Sequence, residues 1–376
     1  MAVITFHASP VVMGVLAAMQ FAAYPFVGLL AGVVADRWSR RATMLIADVV
    51  RAAALASVPL AAAWHLLGIA WLVAVAACIG AASAFFDVAY QALVPALARP
   101  EELERANARL EFTNSAAQIG GKGLAGWLIA AIGVLSVMIL DAASFVFSAL
   151  TIAAIRVREP HRERLVREPF FASLRGGFAV VFGSSALRTI VAATTLSNFA
   201  SAVVGAVYLI FAYRDLHVSP QVLGVILAVA NLGFAGALAA PRIVQAIGLG
   251  ATLTVSMAVA AASYAILPLA LFAPLPVLLA SQFGLTLAVP VYNVAQVSAR
   301  QRLAPANALG RMTATVRTIG MGVMPIGALL GGALADRFGI VQTLAASACV
   351  VLCAVPLLLL PAVRSFGAVP PARTAG

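Results

Sequence analysis

The sequence contains very few charged residues for its length. Of its 376 residues only 10% are Asp, Glu, Lys or Arg, whereas 63% are hydrophobic and the mean hydropathy is +1.04. A soluble domain carries about a quarter charged residues, and 13 acidic and 24 basic side chains are too few to cover a soluble chain of this size. An ordinary soluble globule is therefore excluded, and most of the surface is expected to face lipid.

Residues that carry chemistry are also scarce. Cys78, Cys349 and Cys353 lie in apolar runs without a further Cys or His nearby, so we expect them to pack in the core and expect no metal and no cofactor. The four histidines lie at span edges or in connectors, and no Ser/His or paired-acid arrangement accompanies them, so an enzyme is not expected. A Walker phosphate loop is also absent, which disfavours ATP-driven pumping by this chain.

Long, continuously apolar runs separated by short polar connectors make up most of the chain. Runs of about 20 apolar residues predict membrane-spanning helices, whereas barrel strands would alternate apolar and polar residues. The predicted fold class is an all-α membrane protein with eleven spans, at about 11–35, 43–66, 69–97, 108–132, 134–155, 186–212, 220–243, 250–272, 275–298, 307–335 and 340–362.

The basic residues are unevenly distributed among the connectors. One set of alternate connectors, with the tail, holds 18 arginines, and the opposite set holds only Arg214 and Arg337. By the positive-inside rule this places the protein in a cell (inner or plasma) membrane with a cytoplasmic C-terminus. The net charge of +11 is spread over connectors and not over one soluble face, so nucleic acid is not an expected partner.

The stretch 156–175, rich in Arg, Glu and Pro, is the longest polar segment. It predicts an N-terminal bundle of five spans over 1–155, a cytoplasmic linker over 156–185, a C-terminal bundle of six spans over 186–363 and a disordered cytoplasmic tail over 364–376.

Two short patterns occur in both halves in the same order. His-x-Ser-Pro followed by Gly stands at 7–14 and 217–224, and Ala-Asn-Ala followed by Thr and Ile-Gly stands at 106–120 and 306–320. Chance similarity between Ala-rich segments is the alternative, but His, Asn and Pro in register favour a parallel duplication. A complete span precedes the first pattern in the second half only. One helix is therefore expected to be missing from the start, through a misplaced start codon or a natural shortening.

The segment Gly32-Val-Val-Ala-Asp36-Arg37-Trp-Ser-Arg40-Arg41 resembles the G-x-x-x-D-R-x-x-R-R signature of the major facilitator superfamily. The segments 86–91 and 141–145 are similar to its secretion-effector branch, which includes siderophore exporters and macrolide-efflux-like proteins. The resemblance implies two pseudo-symmetric bundles and alternating-access transport, with the first of the usual twelve helices missing here.

The resemblance also implies a gate at the cytoplasmic side. A simple positive-inside anchor is the alternative, although it does not explain Gly32 or Asp36. Asp48 and Arg51, three residues apart on one helix face, are expected to pair, and Asp87 is expected either to pair with the gate or to carry a proton. The candidate gate residues are Gly32, Asp36, Arg37, Arg40, Arg41, Asp48, Arg51 and Asp87.

Ionisable groups deep in hydrocarbon cost about 3 kcal/mol or more each, which favours functional or paired roles. Lys122 and Asp141 are predicted to interact, either as a pair that titrates during transport or as a static neutralised pair. Arg317 is expected to meet an anionic substrate group or Asp87.

Polar residues inside the predicted spans are the candidates for a substrate cavity. Each one alone is more often an interhelical hydrogen-bonding group than a ligand. Asn198, Tyr292 and Asn293 are preferred because the resemblance places their spans around the family's cavity. The full set is Tyr24, Gln91, Asn114, Gln118, Asn198, Tyr292, Asn293 and Gln296.

The expected function is secondary active efflux of small hydrophobic or amphipathic molecules, driven by proton antiport. The expected partners are the lipid bilayer, a small-molecule substrate and protons, and the expected state is a monomer. The alternative is a truncated, non-transporting membrane protein that is inert or serves as an assembly partner.

Overall fold

The computed structural model describes residues 1–24, 26, 39–97, 103–155, 170–303 and 309–364. The regular elements assigned over these residues are helices. We number the α-helices α1 Ala2–Phe6, α2 Pro10–Phe21, α3 Arg40–Ala63, α4 Ile69–Leu97, α5 Leu103–Ala154, α6 Phe170–Gly183, α7 Ser185–Ile210, α8 Pro220–Ala230, α9 Gly236–Ile247, α10 Leu249–Ala265, α11 Pro274–Leu303, α12 Leu309–Phe338, α13 Ile340–Leu358 and α14 Pro361–Arg364.

Within the described ranges eight helices are long and apolar enough to cross a membrane, and the bent pair Pro220–Ala235 and Leu238–Ile247 makes a possible ninth. Two features account for the difference between this number of spans and the eleven that the sequence predicted. The predicted span 11–35 is described as helix mainly over Pro10–Phe21, since 25 and 27–38 lie outside the described residues. The predicted spans 108–132 and 134–155 both lie within α5, whose two parts meet at the non-helical residue Gly133 and are counted together.

The helix starts follow from local sequence. Ser9, Ser39, Ser184 and Ser219 stand at N-cap positions, and each side chain accepts a hydrogen bond from the backbone N–H three residues later. These bonds satisfy N–H groups that have no partner within the helix. Pro10 and Pro220 follow two of the caps, in the first helical position that suits proline.

A break divides α5 at Gly133, where φ is 82° and ψ is 160°. Only glycine adopts this conformation readily, because it has no Cβ. Gly248 and Gly339 have nearly the same angles and separate α9 from α10 and α12 from α13. The break at Gly133 therefore falls between the two spans that the sequence predicted.

The chain forms two pseudo-symmetric halves. In the first half α3 packs against α4 and α5, and in the second half α7 packs against α12 and α13. The halves meet through two further pairs, α2 with α12 and α5 with α8. The candidate site residues lie on these helices, on α11 and just after α2.

The segment between the halves is partly helical. Residues 156–169 of the predicted linker lie outside the described part of the chain, but α6 follows and packs against α7 and α12. Val181 of α6 is buried beside Leu187 and Met312. After Arg364 the predicted tail lies outside the described residues.

The expectation that the cysteines pack in the core is wrong. Cys78, Cys349 and Cys353 are free and exposed on the helix surfaces. An apolar side chain in a membrane protein loses nothing by facing lipid, so hydrophobicity does not place it in the interior.

Candidate functional site

A buried ion pair lies in the middle third of α3. The Arg51 guanidinium donates to Asp48 Oδ1, and Ser148 Oγ of α5 donates to Asp48 Oδ2 at 2.6 Å. Asp48 and Arg51 share a helix face because they are one turn apart. The carboxylate is thus neutralised and hydrogen-bonded where a lone charge would be costly.

Two aromatic rings enclose the same arginine. The Arg51 guanidinium carbon lies 4.3 Å from the ring centroid of Phe86 on α4 and 4.5 Å from that of Phe145 on α5. A guanidinium over an aromatic face is attracted by the ring quadrupole, the more so when desolvated. Arg51 therefore ties together α3, α4 and α5.

Tyr24 and Asp87 form the polar contact between α4 and the segment that follows α2. The Tyr24 hydroxyl donates to Asp87 Oδ2 at 2.7 Å. The preceding helix α2 approaches α4 closely, since a Cβ on Gly80 would lie 2.6 Å from the carbonyl oxygen of Met19. The Tyr24 hydroxyl also interacts electrostatically with two arginines, Arg51 of the first half and Arg317 of the second half.

Arg41 joins the beginning of α3 to the end of α5. Its Nε donates to the Ile152 carbonyl at 3.0 Å, and its Nη2 donates to the Ala153 carbonyl. Carbonyls of a last helical turn lack partners within the helix and carry partial negative charge, so a guanidinium is well matched to them. This contact lies entirely within the first half.

A second polar group surrounds a small cavity of about 60 Å³ in the second half. Tyr292 and Thr194 hydroxyls are 2.8 Å apart, and Asn198 Nδ2 donates to the Gly320 carbonyl at 3.0 Å. Gln296 donates to Asn293 Oδ1 at 3.2 Å. The polar residues that line the cavity are Thr194, Ser197, Asn198, Ser256, Tyr292 and Asn293.

Three residues that the sequence preferred, Asn198, Tyr292 and Asn293, thus line one cavity. Thr194, Ser197 and Ser256 were missed. Ser and Thr in helices commonly bond to the carbonyl four residues earlier, as Thr194 also does to Ile190, so their presence alone does not signal a cavity.

The structure describes only some of the remaining candidate residues. Asp141 is exposed on α5, and its carbonyl accepts a hydrogen bond from Ser144 at 2.7 Å. Arg40 and Arg317 are half-buried. Gly32, Asp36 and Arg37 lie outside the described residues, as do the side chains of Gln91, Asn114, Gln118 and Lys122. The predicted interaction of Lys122 with Asp141 therefore stays a prediction.

Glycines bring the two halves into contact at two places. A Cβ on Gly14 of α2 would lie 2.6 Å from the Ala328 carbonyl and 3.0 Å from the Gly332 Cα on α12. A Cβ on Gly126 of α5 would lie 2.5 Å from the Pro220 carbonyl and 2.9 Å from the Gly224 Cα on α8. Both crossings are backbone-to-backbone contacts that only glycine permits.

These two crossings are equivalent in the repeat. Gly14 and Gly224 occupy the same place in the His-x-Ser-Pro pattern. Gly126 and Gly332 each stand seven residues before a glycine with nearly the same positive φ, Gly133 and Gly339. The repeat in the sequence predicted that Gly14 and Gly224 correspond, but not that either meets a glycine of the other half.

The sequence also matches a family model over most of its length. The model is described as Major Facilitator Superfamily, and it matches residues 2–318. The chain belongs to the Major Facilitator Superfamily. It is therefore a multi-pass membrane transporter.

Two curated relatives and one solved structure agree with this membership. The multidrug efflux pump Tap of Mycobacterium tuberculosis is 31% identical over 368 residues, covering 92% of this chain and 84% of Tap. Macrolide efflux protein A of Streptococcus pyogenes is 24% identical over 363 residues, covering 92% and 86%. A mutant of the nucleoside transporter NupG superposes with a TM-score of 0.78 at 13% identity, over 95% of this chain and 92% of that one, which shows the shared fold.

Proposed function

We propose that the protein is a secondary active exporter of small hydrophobic or amphipathic molecules, working by alternating access and driven by proton antiport. The two equivalent glycine crossings carry this proposal, because backbone contacts without intervening side chains would let each half move as a unit against the other. The names of the relatives, a multidrug efflux pump and a macrolide efflux protein, support export and the substrate class.

Proton coupling would use the contact between Tyr24 and Asp87. The ionised carboxylate accepts the tyrosine O–H, whereas a protonated carboxyl has a proton of its own to donate. Protonation therefore changes the contact between α4 and the segment after α2, close to the charge of Arg317 in the second half. Among the acidic residues that the structure describes, Asp87 would be the one to couple protonation in the first half to the second half.

The substrate would bind between the halves, beside the polar cavity of α7 and α11. Asn198, Tyr292 and Asn293 offer hydrogen bonds there, and the surrounding helices are apolar. A few polar groups in a largely apolar site suit amphipathic compounds better than sugars.

The orientation belongs to the same proposal. The end that holds Arg40 and Arg41 would face the cytoplasm, together with the C-terminus, because arginines concentrate on that side. The glycine crossings would then lie toward the outer face of the cell membrane, and Arg41 would steady the cytoplasmic ends of α3 and α5 near the gate residues.

Transport by purified protein in proteoliposomes tests the proposal. An imposed pH gradient should drive accumulation of a lipophilic dye and of a macrolide, and a protonophore should abolish the accumulation. Asp87→Asn should remove the response to the gradient while retaining downhill movement, and Asp336→Asn, at an exposed residue of α12, should retain both. A wild-type protein that moves neither compound faster than empty liposomes would favour the truncated, non-transporting alternative.

A further inference from the structure

A surface cavity of about 390 Å³ opens where the two halves meet, at the end of the molecule opposite Arg41. The first half contributes Val3 and His7, and the second half contributes the turn from Tyr213 to Pro220. The lining residues are Val3, His7, Tyr213, Arg214, His217, Val218 and Pro220. None of them belongs to the polar cavity of α7 and α11.

The two histidines enter this cavity by the same local structure. His7 has a φ of 47° and His217 a φ of 52°, in the left-handed region that non-glycine residues seldom adopt. Each precedes a Ser-Pro cap, which begins α2 in one half and α8 in the other. The duplication therefore places one imidazole on each side of the seam.

Arg214 crosses the seam directly. One guanidinium N–H donates to the Ala8 carbonyl at 3.1 Å, and a guanidinium has five N–H donors in all. This cavity thus holds one of the only two arginines of the predicted outer connectors. A cation retained on that side is notable, because the positive-inside rule does not explain it.

The other titratable groups around the cavity decide its charge. Asp215 interacts electrostatically with both Arg214 and His217, and Tyr213 lines the wall. With neutral imidazoles, Arg214 and Asp215 nearly cancel. Protonation of both imidazoles would add two positive charges and two further N–H donors to the cavity.

We propose that this cavity binds a phosphate-type oxyanion, that acid strengthens the binding, and that the bound anion joins the two halves at this end. Charge-assisted hydrogen bonds from Arg214 and from one imidazole of each half would hold it. Arg214 lies at the last turn of the apolar stretch Ser185–Asp215, where lipid headgroups would lie if that stretch spans the membrane, so the oxyanion would be either free phosphate or a lipid phosphodiester.

The test uses the full chain in phosphatidylcholine nanodiscs, with thermal unfolding followed during titration with inorganic phosphate or with chloride of equal ionic strength. Phosphate should stabilise the protein. Sulfate, which carries two negative charges at both pH values, should bind at least about tenfold more tightly at about pH 5.5 than at about pH 7.5 if the two imidazoles supply added positive charge. Phosphatidylglycerol discs form the second arm. If they reproduce the stabilisation and phosphate then adds nothing, the ligand is a lipid headgroup; if phosphate alone stabilises, it is a free anion.

Variants make the result specific. His7→Asn with His217→Asn keeps residues that tolerate left-handed φ and keeps the Arg214 bond to Ala8, yet it should weaken binding at least about tenfold. Asp215→Asn should tighten binding severalfold. His65→Asn is the matched control, since His65 also has a left-handed φ of 56° but does not line the cavity. Equal responses of the double variant and the wild type, or no response of the wild type to either oxyanion, would overturn the proposal.

Discussion

Gly14 and Gly332 bring the backbones of α2 and α12 into direct contact across the two halves, with space for no Cβ on either residue. Alanine at Gly14 would meet a carbonyl oxygen and a Cα, neither of which moves as a side chain does. Forcing a methyl group into such a contact costs about 1–3 kcal/mol. We therefore expect Gly14→Ala and Gly126→Ala each to lower the unfolding temperature in detergent and to slow transport.

Gly121→Ala is the matched control for this prediction. Gly121 lies on the same helix as Gly126, and a Cβ there would meet nothing within 4 Å. Unchanged or higher stability is expected for it, because alanine favours helix over glycine by about 1 kcal/mol. Equal losses for Gly121→Ala and Gly126→Ala would show that the crossing is not tightly packed.

The break at Gly133 gives a prediction about backbone strain alone. Its φ of +82° belongs to a region that is essentially restricted to glycine, and a Cβ would meet no other atom within 4 Å. Gly133→Ala should therefore lower the free energy of unfolding by about 1–3 kcal/mol. Thermal unfolding followed by circular dichroism measures this loss, with Gly121→Ala as the control variant. If Gly133→Ala is as stable as the wild type, the break tolerates another backbone conformation.

Removing the Arg51 side chain should be among the most damaging changes in the first half. Arg51→Met leaves Asp48 buried beside Ser148 without its cation, and breaking a buried pair in this way costs about 3–5 kcal/mol. Adding Asp48→Asn removes the stranded charge, so the double variant should recover part of the loss. Thermal unfolding of both variants decides the point; a double variant no more stable than Arg51→Met would contradict it.

The hydrogen bond between Tyr24 and Asp87 should appear as an energetic coupling. Tyr24→Phe removes only the hydroxyl, and Asp87→Asn removes the charge but keeps the shape. Residues in direct contact couple by about 0.5–3 kcal/mol in a double-mutant cycle. The coupling energy is measured by unfolding the wild type, the two single variants and the double variant. If the losses of stability in the single variants add up to that of the double variant, the contact contributes nothing.

Sequence reasoning predicted what depends on composition and on distance along the chain. Hydropathy gave the α-helical membrane class, the repeat gave two related halves, and a spacing of three placed Asp48 next to Arg51. These follow from the helix period and from the cost of charge in lipid.

Contacts between helices that are distant along the chain could not be predicted from the sequence. The enclosure of Arg51 by Phe86 and Phe145 and the bond from Tyr24 to Asp87 depend on how each helix is rotated about its axis. In lipid an apolar side chain has nearly the same free energy on the protein-facing side of a helix as on the lipid-facing side. Hydropathy therefore does not fix the rotation of a helix about its axis. The exposed Cys349 and Cys353 reflect the same lack of information.

The two glycine crossings have the geometry of an isologous dimer interface within one chain. Gly14 meets Gly332, and its counterpart Gly224 meets the counterpart of Gly332, which is Gly126. In a two-fold symmetric dimer every contact occurs twice in this manner. A rotation of one half that keeps this two-fold relation would loosen both crossings together, so the two contacts would open and close as a pair.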